Sequence, residues 1–246
     1  MDRKSQSTTE KGITLVGLGP GPFEALTLEA WQWLESLETL YLRTSHHPTV
    51  PHFPEALKWV SFDGLSVEAI VEQVLRLGQL PGGMTYAVPG HPFLGEATCP
   101  AIAQSAAEAG IPVRVIAGVS YLEPTLQALG LEGTLPDLAL RDALSLAQRQ
   151  TPGFSSSAAA LVTQISSPEL ACAVQQVLMT VYPGDHSVQW VSGVGTAEAK
   201  VAAFSLAGLG RQRFPDTGVS LFIPPLGKNA SFESFFLCAY RGYIIL

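Results

Sequence analysis

The stretch ITLVGLGPGPFEALTLEAW, residues 13–31, decides the fold class of this chain. Its first residues, Ile13–Val16, are apolar or β-branched and predict a buried strand. Thr27 is a suitable N-cap for a helix that reaches about Leu37. A glycine-rich turn joins the two. A strand, a glycine turn and a helix in this order are typical of the first unit of a parallel α/β sheet.

The same alternation continues along the chain. In the first half it predicts a mostly parallel sheet that is covered on both faces. The pattern weakens between about residues 134 and 157 and then returns. The predicted strands are Thr39–Leu42, Trp59–Phe62, Met84–Val88, Val113–Ile116, Ala159–Thr163, Val188–Val191, Val201–Leu206 and Val219–Ile223, and the predicted helices are Val67–Leu77, Ala97–Ala109, Arg141–Arg149 and Pro168–Thr180.

These elements predict two α/β domains, residues 12–122 and 123–227. Residues 1–11 are polar and lack the apolar centre of a signal peptide, so we expect a disordered tail. Residues 228–246 form a second tail, which we interpret as a docked strand or the start of a following segment.

Composition excludes several classes of protein. Hydrophobic residues make up 47% of the 246 residues and charged residues 14%, so a mainly disordered chain is excluded. The formal net charge of −7 argues against a nucleic acid or an anionic membrane as a partner. No apolar run approaches the roughly 18 residues of a spanning helix. The three cysteines are far apart, which is not typical of a disulfide framework or a zinc site. We expect a soluble cytoplasmic protein without a metal site.

The first glycine turn does not fit the known phosphate-binding loops. A dinucleotide fingerprint needs glycine at positions 17, 19 and 22, but position 22 is Pro22. Arg43 and Thr44 follow the second predicted strand, where an acidic residue would hold the ribose. No Gly-Lys-Ser/Thr follows, so a P-loop is excluded. These departures argue against the hypothesis of a nicotinamide-dependent enzyme. The alternative that the turn has only a structural role is still possible at this point.

Two further glycine turns follow predicted strands. Residues 89–93 (PGHPF) come after Met84–Val88, and residues 118–121 (GVSY) come after Val113–Ile116. Because the carboxyl ends of parallel strands meet at one edge, all three turns are expected there, where open α/β sheets bind ligands. Glycine allows a ligand to approach the backbone closely. The sequence therefore predicts a ligand site at this edge.

Three stretches, in this order, resemble the tetrapyrrole methylase superfamily of class III S-adenosylmethionine-dependent methyltransferases: ITLVGLGPG, YAVPGHPFLGEATC and VRVIAGVSYLEP. Four more, YLRTSHHP, ALSLA, LVTQISSPELA and VYPGDHSV, are similar to the methylase-like N-terminal domain of MazG/YabN-type proteins. The resemblance covers about residues 12–226. It implies two α/β domains of the tetrapyrrole methylase fold with a ligand cleft between them, S-adenosylmethionine as the cofactor, and a homodimer.

The resemblance also implies, motif by motif, which residues contact or border S-adenosylmethionine. The first turn lines the cleft, and the second contacts the methionine and ribose portions. The third lies near the adenosine or methionine portion, and two residues of the second domain border the adenine. In that order the residues are Pro20; Gly90, His91 and Leu94; Ser120 and Tyr121; and Gln164 and Gly195.

Two positions depart from the tetrapyrrole methylase pattern. His91 stands where these methylases commonly carry the acid of Gly-Asp-Pro, although MazG-type relatives share the histidine. Pro22 stands where family members often read GPGDP. The change at His91 alters the charge where the cationic sulfonium is expected nearby, and the change at Pro22 removes an acid from the first turn.

A second group of histidines lies after the second predicted strand. His46, His47 and His52 have a spacing that matches no standard metal pattern. Their segment is rich in proline, so we expect them to have a loop role.

Two functions follow from the resemblance. The first is an S-adenosylmethionine-dependent methyltransferase that acts on a small molecule, a tetrapyrrole being the best-known acceptor of the superfamily. The second is a non-catalytic S-adenosylmethionine- or S-adenosylhomocysteine-binding or regulatory module that has lost its MazG pyrophosphohydrolase partner domain. The residues after Leu226 contain one acid, so we expect no Mg²⁺-dependent nucleotide hydrolysis from them.

Overall fold

The computed structural model describes residues 11–131, 137–196, 198–213 and 219–227. The chain divides between Tyr121 and Leu122 into two compact units, and each unit contains a five-stranded sheet. Within the described ranges, no helix combines the length and the apolar character that crossing a bilayer requires.

The sheet of the first unit is entirely parallel. Its strand order is β3-β2-β4-β1-β5. Every residue of the central strand β4 is buried, as expected for a parallel sheet with both faces covered. The strands are β1 (Ile13–Gly17), β2 (Thr39–Leu42), β3 (Lys58–Ser61), β4 (Met84–Val88) and β5 (Val113–Ile116).

Three helices cover this sheet: α1 (Leu28–Glu35), α2 (Val67–Gly78) and α3 (Thr98–Glu108). Apolar side chains of α2 and α3 pack on one face of the sheet, and those of α1 pack on the other. Thr27 accepts a hydrogen bond from Ala30 N–H at 3.2 Å and begins α1, as predicted.

Because all five strands are parallel, their carboxyl ends lie at one edge of the sheet. We call the segments that follow these ends, residues 17–22, 43–49, 62–64, 89–95 and 117–121, the first-sheet rim.

The sheet of the second unit is mixed. Its strand order is β6-β7-β10-β8-β9, with β6 parallel to β7 and the other neighbours antiparallel. Buried side chains of α5 and α6 pack together with those of the sheet. The elements are α4 (Leu122–Ala128), β6 (Ala139–Asp142), α5 (Ala143–Ala147), β7 (Ala160–Ile165), α6 (Pro168–Leu178), β8 (Ser187–Ser192), β9 (Lys200–Ser205) and β10 (Val219–Ile223).

One predicted element was wrong at its start. The helix expected over Arg141–Arg149 begins only at Ala143, because Arg141 and Asp142 pair with β7 as the last residues of β6. The Asp142 side chain accepts a hydrogen bond from Ser145 N–H at 2.8 Å and so begins the helix instead of lying inside it. Strand β6 and helix α4 were not predicted. The other predicted elements have the right type, with bounds within two residues.

Candidate functional site

The first-sheet rim brings the three glycine turns into backbone contact. A Cβ atom added to Gly17 would lie 2.5 Å from the nitrogen of Gly118 and 2.5 Å from the carbonyl oxygen of Gly90. A Cβ on Gly118 would crowd the backbone of Gly17 and Gly90 as well. Only residues without a side chain allow this approach, so the three turns form one continuous backbone surface.

Hydrogen bonds also join the first and second turns. Gly90 N–H donates to the carbonyl oxygen of Gly19 at 2.6 Å, and Gly19 N–H donates to that of Gly90 at 3.3 Å. Both residues have left-handed backbone conformations, with φ of +79° at Gly19 and +67° at Gly90. A side chain at either position would strain the turn, which explains why glycine occupies both.

Gly90 differs from Gly17 in what lies beside it. A Cβ added to Gly90 would meet one backbone atom within reach, the nitrogen of Tyr121 at 4.0 Å. There is therefore room for a methyl group between Gly90 and the third turn, although Gly90 itself is buried.

Six of the eight residues predicted to contact S-adenosylmethionine lie on this rim. Ser120 is buried, and Pro20, Tyr121 and Leu94 are half-buried. His91 Nδ1 accepts a hydrogen bond from Phe93 N–H at 3.1 Å, which leaves Nε2 as the protonated nitrogen of the neutral ring. The six are Pro20, Gly90, His91, Leu94, Ser120 and Tyr121.

The other two lie at one edge of the second sheet. Val219 of β10 pairs with Ile165 at the end of β7 and with Ser192 at the end of β8, so these ends share one edge. Gln164 lies at that end of β7, and Gly195 follows β8.

Gln164 has an uncommon backbone. Among the described residues it is the one non-glycine residue with a positive φ, +63°. This conformation costs a non-glycine residue about 1–2 kcal/mol, and such residues cluster at functional sites. The side chain is exposed.

Asp63 is a rim residue that sequence reasoning missed. Its Oδ2 accepts hydrogen bonds from Ser45 N–H at 2.9 Å, Ser45 Oγ at 2.6 Å and Ser61 Oγ at 2.5 Å. These bonds hold the pKa of the Asp63 carboxyl well below its ordinary range. They tie the segment after β2 to the turn after β3. Ser45 lies 18 residues before Asp63 in the sequence, so no local sequence pattern predicted the cluster.

We expect Asp63→Asn to remove part of the acid sensitivity of the fold. The folded pKa lies below the ordinary value of 3.8, so the carboxylate stabilises the folded state above that value and loses this effect as the pH falls further. In urea unfolding at pH 7, wild type should have a higher free energy of unfolding than Asp63→Asn. The difference between the two free energies should become smaller as the pH falls below 4. A gap that is constant over this pH range would contradict the assignment.

The described residues contain no group of three or more histidine, cysteine, aspartate or glutamate side chains that could hold a metal ion. The rim offers backbone N–H and C=O groups, hydroxyl groups, the carboxylate of Asp63, the guanidinium of Arg43 and three imidazoles, those of His46, His47 and His91. Such a surface can bind and orient a small polar ligand.

Comparison with known proteins identifies the family. The family model described as Tetrapyrrole (Corrin/Porphyrin) Methylases matches residues 12–210. The uncharacterized protein YabN of Bacillus subtilis (strain 168) is 27% identical over 238 residues, which cover 88% of this chain and 45% of YabN. The chain thus spans about half the length of this curated relative.

Solved structures of methyltransferases share the fold. Uroporphyrin-III C-methyltransferase from Thermus thermophilus superimposes with a TM-score of 0.68 at 21% identity, covering 87% of this chain and 92% of that one. A complex of that enzyme with S-adenosyl homocysteine gives 0.66 at 18% identity, covering 86% and 96%. The cobalt precorrin-4 methyltransferase CbiF gives 0.67 at 14% identity, covering 87% and 94%. These likenesses confirm the predicted fold class of two α/β domains.

Proposed function

The chain belongs to the tetrapyrrole (corrin/porphyrin) methylase family, and on that premise we propose that it is an S-adenosylmethionine-dependent methyltransferase. The observation that carries the proposal is the first-sheet rim, where three glycine turns meet in backbone contact. In open α/β sheets this edge is where ligands bind.

The rim fits the methyl donor chemically. S-adenosylmethionine carries amino, carboxylate and hydroxyl groups that hydrogen-bond to exposed backbone, and glycine turns allow that approach. In this proposal Gly90, His91 and Leu94 hold the methionine and ribose portions, and Pro20, Ser120 and Tyr121 line the site. Gln164 and Gly195 are assigned to the adenine.

When bound, S-adenosylmethionine would supply the methyl group of its sulfonium. A nucleophile of the acceptor would form a bond to that methyl carbon, and the electron pair of the broken C–S bond would stay on sulfur. The residues of the rim have the task of orienting the two reactants and excluding water. Neither task needs a metal or a cluster of acids, so a rim of backbone groups is sufficient for positioning.

The acceptor in this proposal is a small molecule, and a tetrapyrrole is the first to test because the family is defined by such acceptors. We also propose that the protein is a homodimer, as the resemblance implies. Light scattering of the purified protein tests the assembly.

Calorimetric titration with S-adenosylhomocysteine tests the proposed function. We expect saturable binding at one site per chain, followed by transfer of a labelled methyl group from S-adenosylmethionine to a porphyrinoid or to a component of a small-molecule extract. No heat of binding at about 1 mM ligand would correspond to a free energy weaker than about −4 kcal/mol and would overturn the proposal.

A non-catalytic binding or regulatory module is the second candidate. Pro22 favours it, because it stands where the resembled family often has an acid. Binding of S-adenosylhomocysteine without methyl transfer to any acceptor would support this function over the first.

Substitutions at Gln164 separate an effect on the stability of the fold from an effect on ligand affinity. Gln164→Gly relieves the left-handed strain and Gln164→Ala retains it, so the glycine variant should be more stable than the alanine variant by about 1 kcal/mol. Glycine in an ordinary strand would show the reverse order. Both variants should bind S-adenosylhomocysteine more weakly than wild type. Wild-type affinity in both would remove Gln164 from the proposed site.

A further inference from the structure

His47 is buried, although it lies in a polar and proline-rich segment. It is 6% exposed, whereas the side chain of the adjacent His46 is 85% exposed. Thr49 N–H donates to His47 Nδ1 at 3.3 Å, and His47 Nε2 lies 3.0 Å from the carbonyl oxygen of Gly19. Since Nδ1 accepts, the ring proton is on Nε2 and is donated to Gly19.

The carbonyl oxygen of Gly19 joins three segments of the rim. It accepts from Gly90 N–H at 2.6 Å as well as from His47, so both of its lone pairs are used. His47 therefore connects its own segment to the first and second glycine turns.

Thr49 adds a second contact to the same turn. This residue is fully buried, and its Oγ1 donates to the carbonyl oxygen of Gly21 at 3.4 Å. The two carbonyls that His47 and Thr49 hold lie on either side of Pro20. Glycine restricts its own backbone less than any other residue, so the conformation of residues 19–21 depends on partners from outside the turn.

We propose that His47 and Thr49 are positioning residues, which fix the carbonyls of Gly19 and Gly21 and thereby set the first wall of the methyl-donor site. The proposal rests on the function proposed above. Its physical basis is that each hydrogen bond to a buried carbonyl adds stability to one position of the turn. Without His47 the carbonyl of Gly19 keeps only the bond from Gly90 N–H, so the turn is held less firmly. Burial also lowers the pKa of His47, so the ring stays neutral at pH 7 and Nδ1 remains an acceptor.

Three variants test the role of His47. His47→Leu replaces the buried imidazole with an apolar side chain and removes both of its hydrogen bonds. His47→Gln restores a donor that can reach Gly19, and His52→Ala changes an exposed histidine outside the rim. The measurements are calorimetric affinity for S-adenosylhomocysteine and the hydrogen-exchange rate of the Gly90 amide in the ligand-free protein.

We expect His47→Leu to weaken S-adenosylhomocysteine binding about tenfold, because of its two lost hydrogen bonds only the one to Gly19 holds the turn, and to speed exchange at Gly90. His47→Gln should recover most of the affinity, and His52→Ala should bind within about twofold of wild type. A folded His47→Leu protein with wild-type affinity and wild-type exchange at Gly90 would overturn the proposal.

A second pair of variants covers the case in which His47→Leu does not fold. Thr49→Val removes the hydroxyl at nearly constant volume, and Thr49→Ser restores it. Weaker binding in the valine variant with recovery in the serine variant supports the proposal, and equal affinity in both contradicts it. If wild type itself does not bind S-adenosylhomocysteine, the proposed function fails, and exchange at Gly90 alone decides whether His47 positions the turn.

Discussion

Gly90→Val is expected to abolish binding of S-adenosylhomocysteine. The added side chain would fill the gap between the second and third turns, where the nearest atom to a Cβ is the nitrogen of Tyr121 at 4.0 Å. A ligand that needs this space loses its backbone contacts at once, so we expect affinity to fall at least about a hundredfold, or roughly 3 kcal/mol. Calorimetry gives the affinity, and circular dichroism establishes that the variant is folded.

Gly110→Val is the matched control for Gly90→Val. Gly110 has a φ of +65°, close to the +67° of Gly90, and a Cβ placed there would meet no atom within 4 Å. It carries the same backbone strain but lies between α3 and β5, at the edge where the strands begin. We expect Gly110→Val to bind like wild type once folded. Wild-type affinity in a folded Gly90→Val protein would contradict the assigned site.

Gly17→Ala should have the largest effect on stability. Its Cβ would lie 2.5 Å from backbone atoms of both Gly118 and Gly90, and the backbone of these packed turns cannot move away from β1 cheaply. Gly17 lacks a positive φ, so the cost is steric and not conformational. We expect the free energy of unfolding to fall by about 3 kcal/mol or more, measured by urea unfolding.

Gly208→Ala is the control for an added methyl group. A Cβ at Gly208 would make only ordinary contacts, the nearest being Ser205 Oγ at 3.6 Å. Its free energy of unfolding should change by no more than about 1 kcal/mol. Equal losses of stability in Gly17→Ala and Gly208→Ala would contradict the close packing of the three turns.

Local patterns predicted most of the fold. Thr27 caps α1 because its side chain accepts a hydrogen bond from the N–H three residues further along the chain. Strand β4 is buried throughout because both faces of the sheet are covered. Strand β6 was missed because its residues pair with β7, which begins 18 residues after β6 ends. Pairing over that distance leaves no periodic signal in a four-residue strand.

The candidate site divides in the same way. The positions of Gly90 and Tyr121 followed from the order of strands and turns, since parallel strands place their carboxyl ends together. The cluster around Asp63 and the partners of His47 did not follow, because each depends on side chains meeting across loops.

The sequence by itself determined the alternation of strands and helices, the placement of three glycine turns at strand ends, and the family resemblance, because these features depend on residues that are close along the chain. Only the tertiary structure decided that Gly17, Gly90 and Gly118 touch through their backbones and that a buried His47 holds the carbonyl of Gly19, 28 residues away. Packing decides such contacts, since burial and hydrogen bonding between distant segments exist only once the sheet has formed.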